Sequence, residues 1–470
     1  MRLYLIAAVA LIIITPLALM NAHAKDAQDT KEQKLEAIFT KMMTSQKTEI
    51  EKRGAKLQLT GALEIEKASN YYAVTMPEMK IIDTNGESTN IGMVAVNATP
   101  TNDDNIWKMA IAIPTPITKQ NAEGKNTGRI DIGNQKFNGV YDSQINNFTK
   151  IIMEYKNLKF TDLEDNFVMN MQEMKLVSDL DIKDDLLSGP TDMRISNIDF
   201  SDTDTAKKTT IEAITIYGNY EDIDILSFAQ NPQKIDFTKL GGIELKGEIK
   251  NLVSDVKVSK IGFGFTGKKP EDGFSDQKLS IKYDGLESLD NNKNSLRFAP
   301  ADMNIDLELN KLPLADLLKL GQMKIASGEN QPPAAAMNML QALTSLPTKM
   351  ANAGSNLDIE NFDFKNSLYE IKTRGNLKAS STSPMMVVGD IVLKAMNMDK
   401  LKTTINDSLS SSSKNEQKAM QNILKQINFI ETNCDGGKGN YDCTLNFSEA
   451  GKISLNGKPL NLIDIMQMGR

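Results

Sequence analysis

Apolar residues fall at every second position through much of this chain. Leu57, Leu59, Gly61, Leu63 and Ile65 alternate with polar neighbours, and Tyr72, Val74 and Met76 continue the pattern. Trp107, Met109, Ile111 and Ile113 repeat it, as do Ile243, Leu245, Gly247 and Ile249, then Met303, Ile305, Leu307 and Leu309. A period of two gives each strand one dry and one wet face, the habit of antiparallel sheets. Turn sequences separate the runs: Asp83-Thr84-Asn85-Gly86, Asp284-Gly285, Asp290-Asn291-Asn292 and Asn456-Gly457. The expected fold is mainly β, of the α+β class. It is an elongated, twisted antiparallel sheet of successive hairpins, with an N-terminal amphipathic helix and a few short C-terminal helices.

Helical spacing is confined to a few segments. Leu35, Ile38, Phe39, Met42 and Met43 predict an amphipathic helix over Thr30–Arg53, packed on the first sheet. Leu314–Met323, Pro333–Ala353 and Ser413–Ile427 read as later helices, and Gly328–Pro332 and Ser408–Ser413 as links. These shifts suggest a leader (1–24), a helix-plus-β region (25–135), a repeated hairpin region (136–326) and a mixed region (327–470). One phrase recurs, apolar-x-Asn-apolar-x-Phe, at Tyr155–Phe160, Ile195–Phe200 and Ile359–Phe364. Chance among similar strands and stacked hairpin units both account for it.

The leader changes the address. Arg2, the apolar run Leu3–Thr15, the breaking Pro16 and the small residues Ala22 and Ala24 before Lys25 form the pattern of a cleaved secretory signal. The expected location is periplasmic or secreted. The alternative is an inner-membrane anchor through residues 3–20, if the signal is not cleaved. Cleavage removes one arginine and no acid, so the mature chain is one unit more negative than the formal −7 of the whole. That balance disfavours nucleic acid and gives no polybasic attraction to anionic lipid heads, leaving membrane contact open. The sole histidine, His23, lies inside the leader. Catalysis by Ser-His-Asp or Cys-His and most zinc sites are thereby removed.

Export governs the two cysteines, Cys434 and Cys443. Eight residues lie between them, which sets them opposite one another across a hairpin centred on Lys438-Gly439. Gly436, Gly437 and Gly439 are expected to supply positive φ at this turn. Further ligands for a metal are missing, and the spacing is not that of a thioredoxin-like pair. A structural disulfide is the expectation.

Other motifs dissolve on inspection. Gly262-Phe263-Gly264-Phe265-Thr266-Gly267 fits G-x-G-x-x-G, but Lys268-Lys269-Pro270 cannot open the helix that a dinucleotide site needs. Ser411–Lys414 fits S-x-x-K without its companion motifs, and reads as a linker or helix cap. The acidic runs at 162–165, 181–185 and 199–204 lack the calcium-loop pattern and read as solvated turns. Met-x-Met occurs at Met169/Met171, Met337/Met339, Met396/Met398 and Met466/Met468. Paired thioethers on a strand suit copper(I), but pliable packing is the favoured reading. No catalytic, cofactor-binding or metal residue is nominated.

Two stretches, Met303–Leu314 and Glu449–Leu460, resemble the YdgA-like family of bacterial envelope proteins. More distantly the architecture is similar to AsmA-like proteins, whose long sheets curl into an apolar groove. The resemblance implies a periplasmic, non-enzymatic role in envelope or lipid homeostasis. The expected partner is therefore lipid or another apolar ligand held in a β-sheet groove. The alternatives are a structural or interaction protein pairing with other envelope proteins, and a histidine-independent carboxylate hydrolase.

Overall fold

The computed structural model describes residues 30–184, 186–202, 204–205, 207–224, 241–289, 294–317, 344–410 and 412–460. The leader, with Ala22, Ala24 and Lys25, and the segments carrying Met337/Met339 and Met466/Met468 lie outside the described residues. The chain is mainly β with antiparallel pairing, as the alternation predicts. It divides into two units, residues 1–232 and 233–470. Residue 136, where composition suggests a boundary, lies within a strand, and residue 327 is outside the described residues.

The first unit opens with α1 (Lys31–Lys52). Thr30 caps it and Gln33 reaches back to close a capping box. Short strands follow: β1 (Lys56–Thr60), β2 (Glu64–Lys67), β3 (Tyr72–Thr75) and β4 (Glu78–Ile82). Next come β5 (Ser88–Gly92), β6 (Ala95–Pro100), β7 (Ile106–Ala112) and β8 (Ile117–Gln120). Longer strands complete the unit: β9 (Asn126–Asp142), β10 (Asn147–Asp162), β11 (Phe167–Asp179), β12 (Asp181–Lys183), β13 (Leu186–Asp202) and β14 (Lys207–Ile223).

β9 is the fork of this unit. Its first half pairs with β8 and its second half with β7. One arm runs β9-β7-β6-β3-β2, the other β9-β8-β5-β4-β1. The far ends, β1 and β2, both pack against α1. Leu35, Ile38 and Phe39 of α1 therefore join one core with Val74, Trp107, Met109, Ile117 and Tyr141 from the two arms. The other edge of β9 starts a meander, β9-β10-β11-β13-β14, whose buried side continues that core.

The recurrent asparagine phrase marks a change of phase in this meander. Asn157 and Asn197 adopt left-handed φ of 52° and 50°. Tyr155 and Leu158 are both buried, while Lys156 and Asn157 between them are exposed. A strict alternation would put one of the two apolar residues in water. A left-handed residue, which asparagine tolerates better than most, skips a position and keeps both on the dry side. The neighbouring strands skip in the same row, and Gly133 stands there because a Cβ would lie 2.9 Å from that of Asn157. The third copy works differently: Glu360-Asn361 forms a bulge, and Asn361 donates to Asp306 at 2.7 Å. A further left-handed asparagine, Asn251 (φ 46°) in Ile249-Lys250-Asn251-Leu252, lacks the phenylalanine of the phrase.

The second unit is a meander. Its strands are β15 (Gly242–Val253), β16 (Val256–Gly267), β17 (Ser275–Asp284), β18 (Glu287–Ser288), β19 (Asp302–Leu312), β20 (Asn356–Lys365), β21 (Glu370–Ala379) and β22 (Val387–Met396). After α2 (Met398–Leu409) and α3 (Lys414–Asn433) come β23 (Asp435–Gly437), β24 (Asn440–Phe447), β25 (Ile453–Leu455) and β26 (Lys458–Pro459). The order is β15-β16-β17-β19-β20-β21-β22-β24-β25-β26, with β18 beside the start of β16 and β23 beside the start of β24.

Ser413 caps α3 in a capping box with Glu416, so the S-x-x-K match is a helix start. The G-x-G-x-x-G match lies on β16, with no helix after it. α2 was not anticipated, although Leu401, Ile405 and Leu409 recur at i+4, and its last residues, Ser408 and Leu409, take up the start of the expected link Ser408–Ser413. The predicted hairpin forms, with 435 opposite 442, 436 opposite 441 and 437 opposite 440, and Cys434 is bonded to Cys443. Lys438 (φ 53°) and Gly439 (φ 78°) make its turn, so positive φ falls on Lys438 rather than on Gly437. The Gly439 carbonyl accepts from the Met398 N–H at 2.8 Å, capping the start of α2 where the Asn397 side chain does not.

Two measurements test these assignments. Asn157→Val forces a β-branched residue into left-handed backbone and is expected to cost about 1–2 kcal/mol in urea unfolding, whereas Asn157→Gly stays close to wild type. Replacing both cysteines by serine, or reducing them, is expected to lower the stability of the second unit by about 2–3 kcal/mol, the loop-closure value for so short a span. A smaller effect than 1 kcal/mol would place the bond outside the folded framework.

Candidate ligand-binding face

Pairing in the second unit brings apolar side chains into rows across the strands. Leu245, Phe265, Leu279, Leu307 and Ile359 are successive partners on β15, β16, β17, β19 and β20. The next row is Gly247, Phe263, Ile281, Ile305 and Phe362, and a third is Ile249, Ile261, Tyr283, Met303 and Phe364. Cross-strand partners share a face. These three rows contain no charged residue.

Among the described residues of this unit, the face is covered at one end only. Met398, Leu401 and Ile405 of α2 and Met420 and Ile427 of α3 pack with Ala395, and the cluster takes in Phe364, Ile371, Leu393 and Tyr441. The helices thus roof the β20–β24 side. Away from that roof, Phe263 (49%), Leu279 (38%), Ile281 (36%) and Phe362 (38%) keep large exposed fractions. Five strands about 4.8 Å apart and three rows about 7 Å apart give a patch of roughly 19 by 14 Å.

Its relief follows from one glycine. A Cβ on Gly247 would lie 1.9 Å from Cε1 of Phe263, so the ring lies over the Gly247 backbone. Phe362 and Phe364 meet edge to face, their centroids 5.0 Å apart. The first unit, taken by itself, shows a similar gradation. In the row Met153, Leu176, Met193 and Ile216, exposure rises from 1% on β10 to 36% on β14.

The reverse face of the second unit's sheet is polar and self-satisfied. Asp358 accepts from Asn310 at 3.0 Å, from Asn356 at 2.7 Å and from Asn376. Lys278 bonds Glu360 at 2.8 Å, Lys260 pairs with Glu248, and Arg374 grips Asp363 with two nitrogens. The Arg374 hydrogen bonds hold the Asp363 carboxyl below the usual aspartate range, and Glu360 holds the Lys278 ammonium above its own.

The remaining sequence candidates fall into structural roles. Met169 and Met171 share the buried side of β11, packed in the core opposite Phe160 and Leu158. Met398 is buried at the start of α2. Two acidic runs lead into turns in which a carboxylate accepts local N–H groups, Asp162 from Glu164 and Asp165 and Asp202 from Asp204 and Thr205, whereas Asp181 of the third lies on β12 and Asp199 on β13, so those stretches are strand rather than turn. Among the described residues, no group of three or more His, Cys, Asp or Glu is placed to hold a metal, and no helix is long and apolar enough to cross a membrane. Sequence reading found β15 and β19 but did not bring Leu279 and Ile281 to them. Their alternation with Tyr283 was the available signal.

No protein-family model, curated protein or solved structure matches this chain.

Asp363 is depressed in the folded state, so its contribution is present at neutral pH and lost as it protonates. The stability gap between wild type and Arg374→Leu is therefore expected to be full at pH 7 and to close below the ordinary aspartate value of 3.8. Urea unfolding at several pH values checks this.

Proposed function

We propose that this chain is an exported, non-enzymatic envelope protein that holds lipid or another apolar ligand on the open part of the second unit's sheet. The observation that carries this reading is the uncharged set of rows that leaves Phe263, Leu279, Ile281 and Phe362 in water beside a roofed remainder. Exposed apolar area of this kind marks a binding surface more often than chance. The disulfide suits an oxidising compartment, in line with the leader sequence. The resemblance to AsmA-like groove proteins points the same way.

Size favours a slender ligand. Side chains of about 200 Å² at these exposures present on the order of 300 Å². A stable protein interface buries about 800 Å² on each partner. At roughly 25 cal/mol per Å², covering the patch contributes about 8 kcal/mol before association costs, which fits micromolar or weaker binding.

Protein isolated from its native compartment is expected to release lipid on solvent extraction and to carry the added mass in native mass spectrometry. Ile281→Asp places a charge in the middle row and is expected to reduce the recovered lipid about tenfold or more, with the far-UV spectrum and unfolding midpoint kept. Wild-type protein free of any extractable apolar ligand overturns the proposal.

A further inference from the structure

The far ends of the two arms of the first unit are edges. β1 pairs with β4 and β2 with β3, and among the described residues neither strand has a partner on its other side. Backbone groups of an antiparallel strand point alternately to its two sides, so β4 takes only one alternate set from β1. The other set has no ladder. Open edges of this kind are templates for a further strand, and proteins guard them with charges, proline or bulges. β2 is guarded: it reads Glu64-Ile65-Glu66-Lys67, and self-pairing centred on Ile65 would oppose Glu64 to Glu66. β26, the last strand of the second unit's sheet, ends in Lys458-Pro459. β1 has no such guard. It reads Lys56-Leu57-Gln58-Leu59-Thr60, with its one charge at the end. All of it but Leu57 is exposed, Leu59 by 37%. A Cβ on Gly61 would meet nothing within 4 Å, so the space beside the end of the strand is open.

We infer that β1 is a docking edge for a second copy of this chain, the two β1 strands pairing antiparallel about a two-fold axis at Gln58. The inference is independent of the proposed function.

The strand is complementary to itself in that register. Lys56 of one copy stands opposite Thr60 of the other, Leu57 opposite Leu59, and Gln58 opposite Gln58. Cross-strand partners share a face. Leu57 and Leu59 of both copies therefore form one block of four on the dry side, and Leu59 gains the cover it lacks. The wet side opposes no like charges, and the two Gln58 amides meet across the axis, each with a donor and an acceptor for the other. A slip of one residue would set leucine against glutamine and lysine. A two-fold contact also closes on itself, so pairing stops at a dimer. The edge of five residues is about 17 Å long, short for a stable interface, so association is expected to be micromolar or weaker.

Sedimentation velocity of the full protein, from about 1 to about 500 micromolar, is expected to show a monomer–dimer equilibrium. Leu59→Lys sets cations against the leucines and is expected to weaken the dimer at least about tenfold, with the far-UV spectrum and unfolding midpoint kept. Gln58→Cys places two thiols on the axis, their Cα atoms about 5 Å apart, and is expected to give a cross-linked dimer on oxidation. Thr60→Cys stands about 14 Å from its counterpart and is expected to give none. A monomer throughout that range, a dimer indifferent to Leu59→Lys, or cross-linking by Thr60→Cys in place of Gln58→Cys overturns the inference. A dimer that Ile281→Asp dissolves associates through the open face of the second unit and overturns it as well.

Discussion

Register governs this molecule. A strand that pairs on both edges cannot slip by one residue without carrying its apolar side chains to the wet face. Long strands raise the stakes, because one mismatch in composition would invert everything after it. The left-handed asparagines are the device that resolves this. Asn157 and Asn197 let the apolar pattern change parity while β9, β10, β11 and β13 remain hydrogen-bonded on either side of the row. The core of the first unit extends along the strands because of those two residues.

That same device explains what the sequence did and did not disclose. Alternation is a local property, and it revealed the fold class, the strands around Leu57, Val74, Trp107, Leu245 and Ile305, and α1 from its spacing. The cysteine hairpin was legible because an even spacing and a Gly-rich turn leave one geometry. The asparagine phrase was visible as a repeat, but its meaning was not. It was grouped by its phenylalanine, which joined Asn361 to the set and left out Asn251, whereas backbone conformation sorts them the other way. The open face was hidden for a different reason. Exposure depends on what lies over a strand, and the roof of α2 and α3 comes from residues well over a hundred positions away from Phe263 and Ile281.

Each unit, considered alone, spends its apolar surface unevenly. In the first, α1 and the two arms seal the core, and cover thins toward β14. In the second, the helices seal one side and leave β16 and β17 open. The polar face of the second sheet needs no such cover, because amides and cations there satisfy the carboxylates strand by strand. A sheet can stand as a single layer only if its wet face is content in water and its dry face has a tenant. The architecture supplies the first, and the apolar ligand proposed above answers the second.

The cysteine bridge has a mechanical meaning in this setting. It rivets the last turn of α3 to β24, while the hairpin tip grips the first turn of α2. The two helices are thereby pinned at both ends of their run and cannot drift sideways over the bare strands. The bond thus adds a covalent tie, one that an oxidising environment maintains, to a roof that Met398, Leu401, Ile405, Met420 and Ile427 already hold by packing.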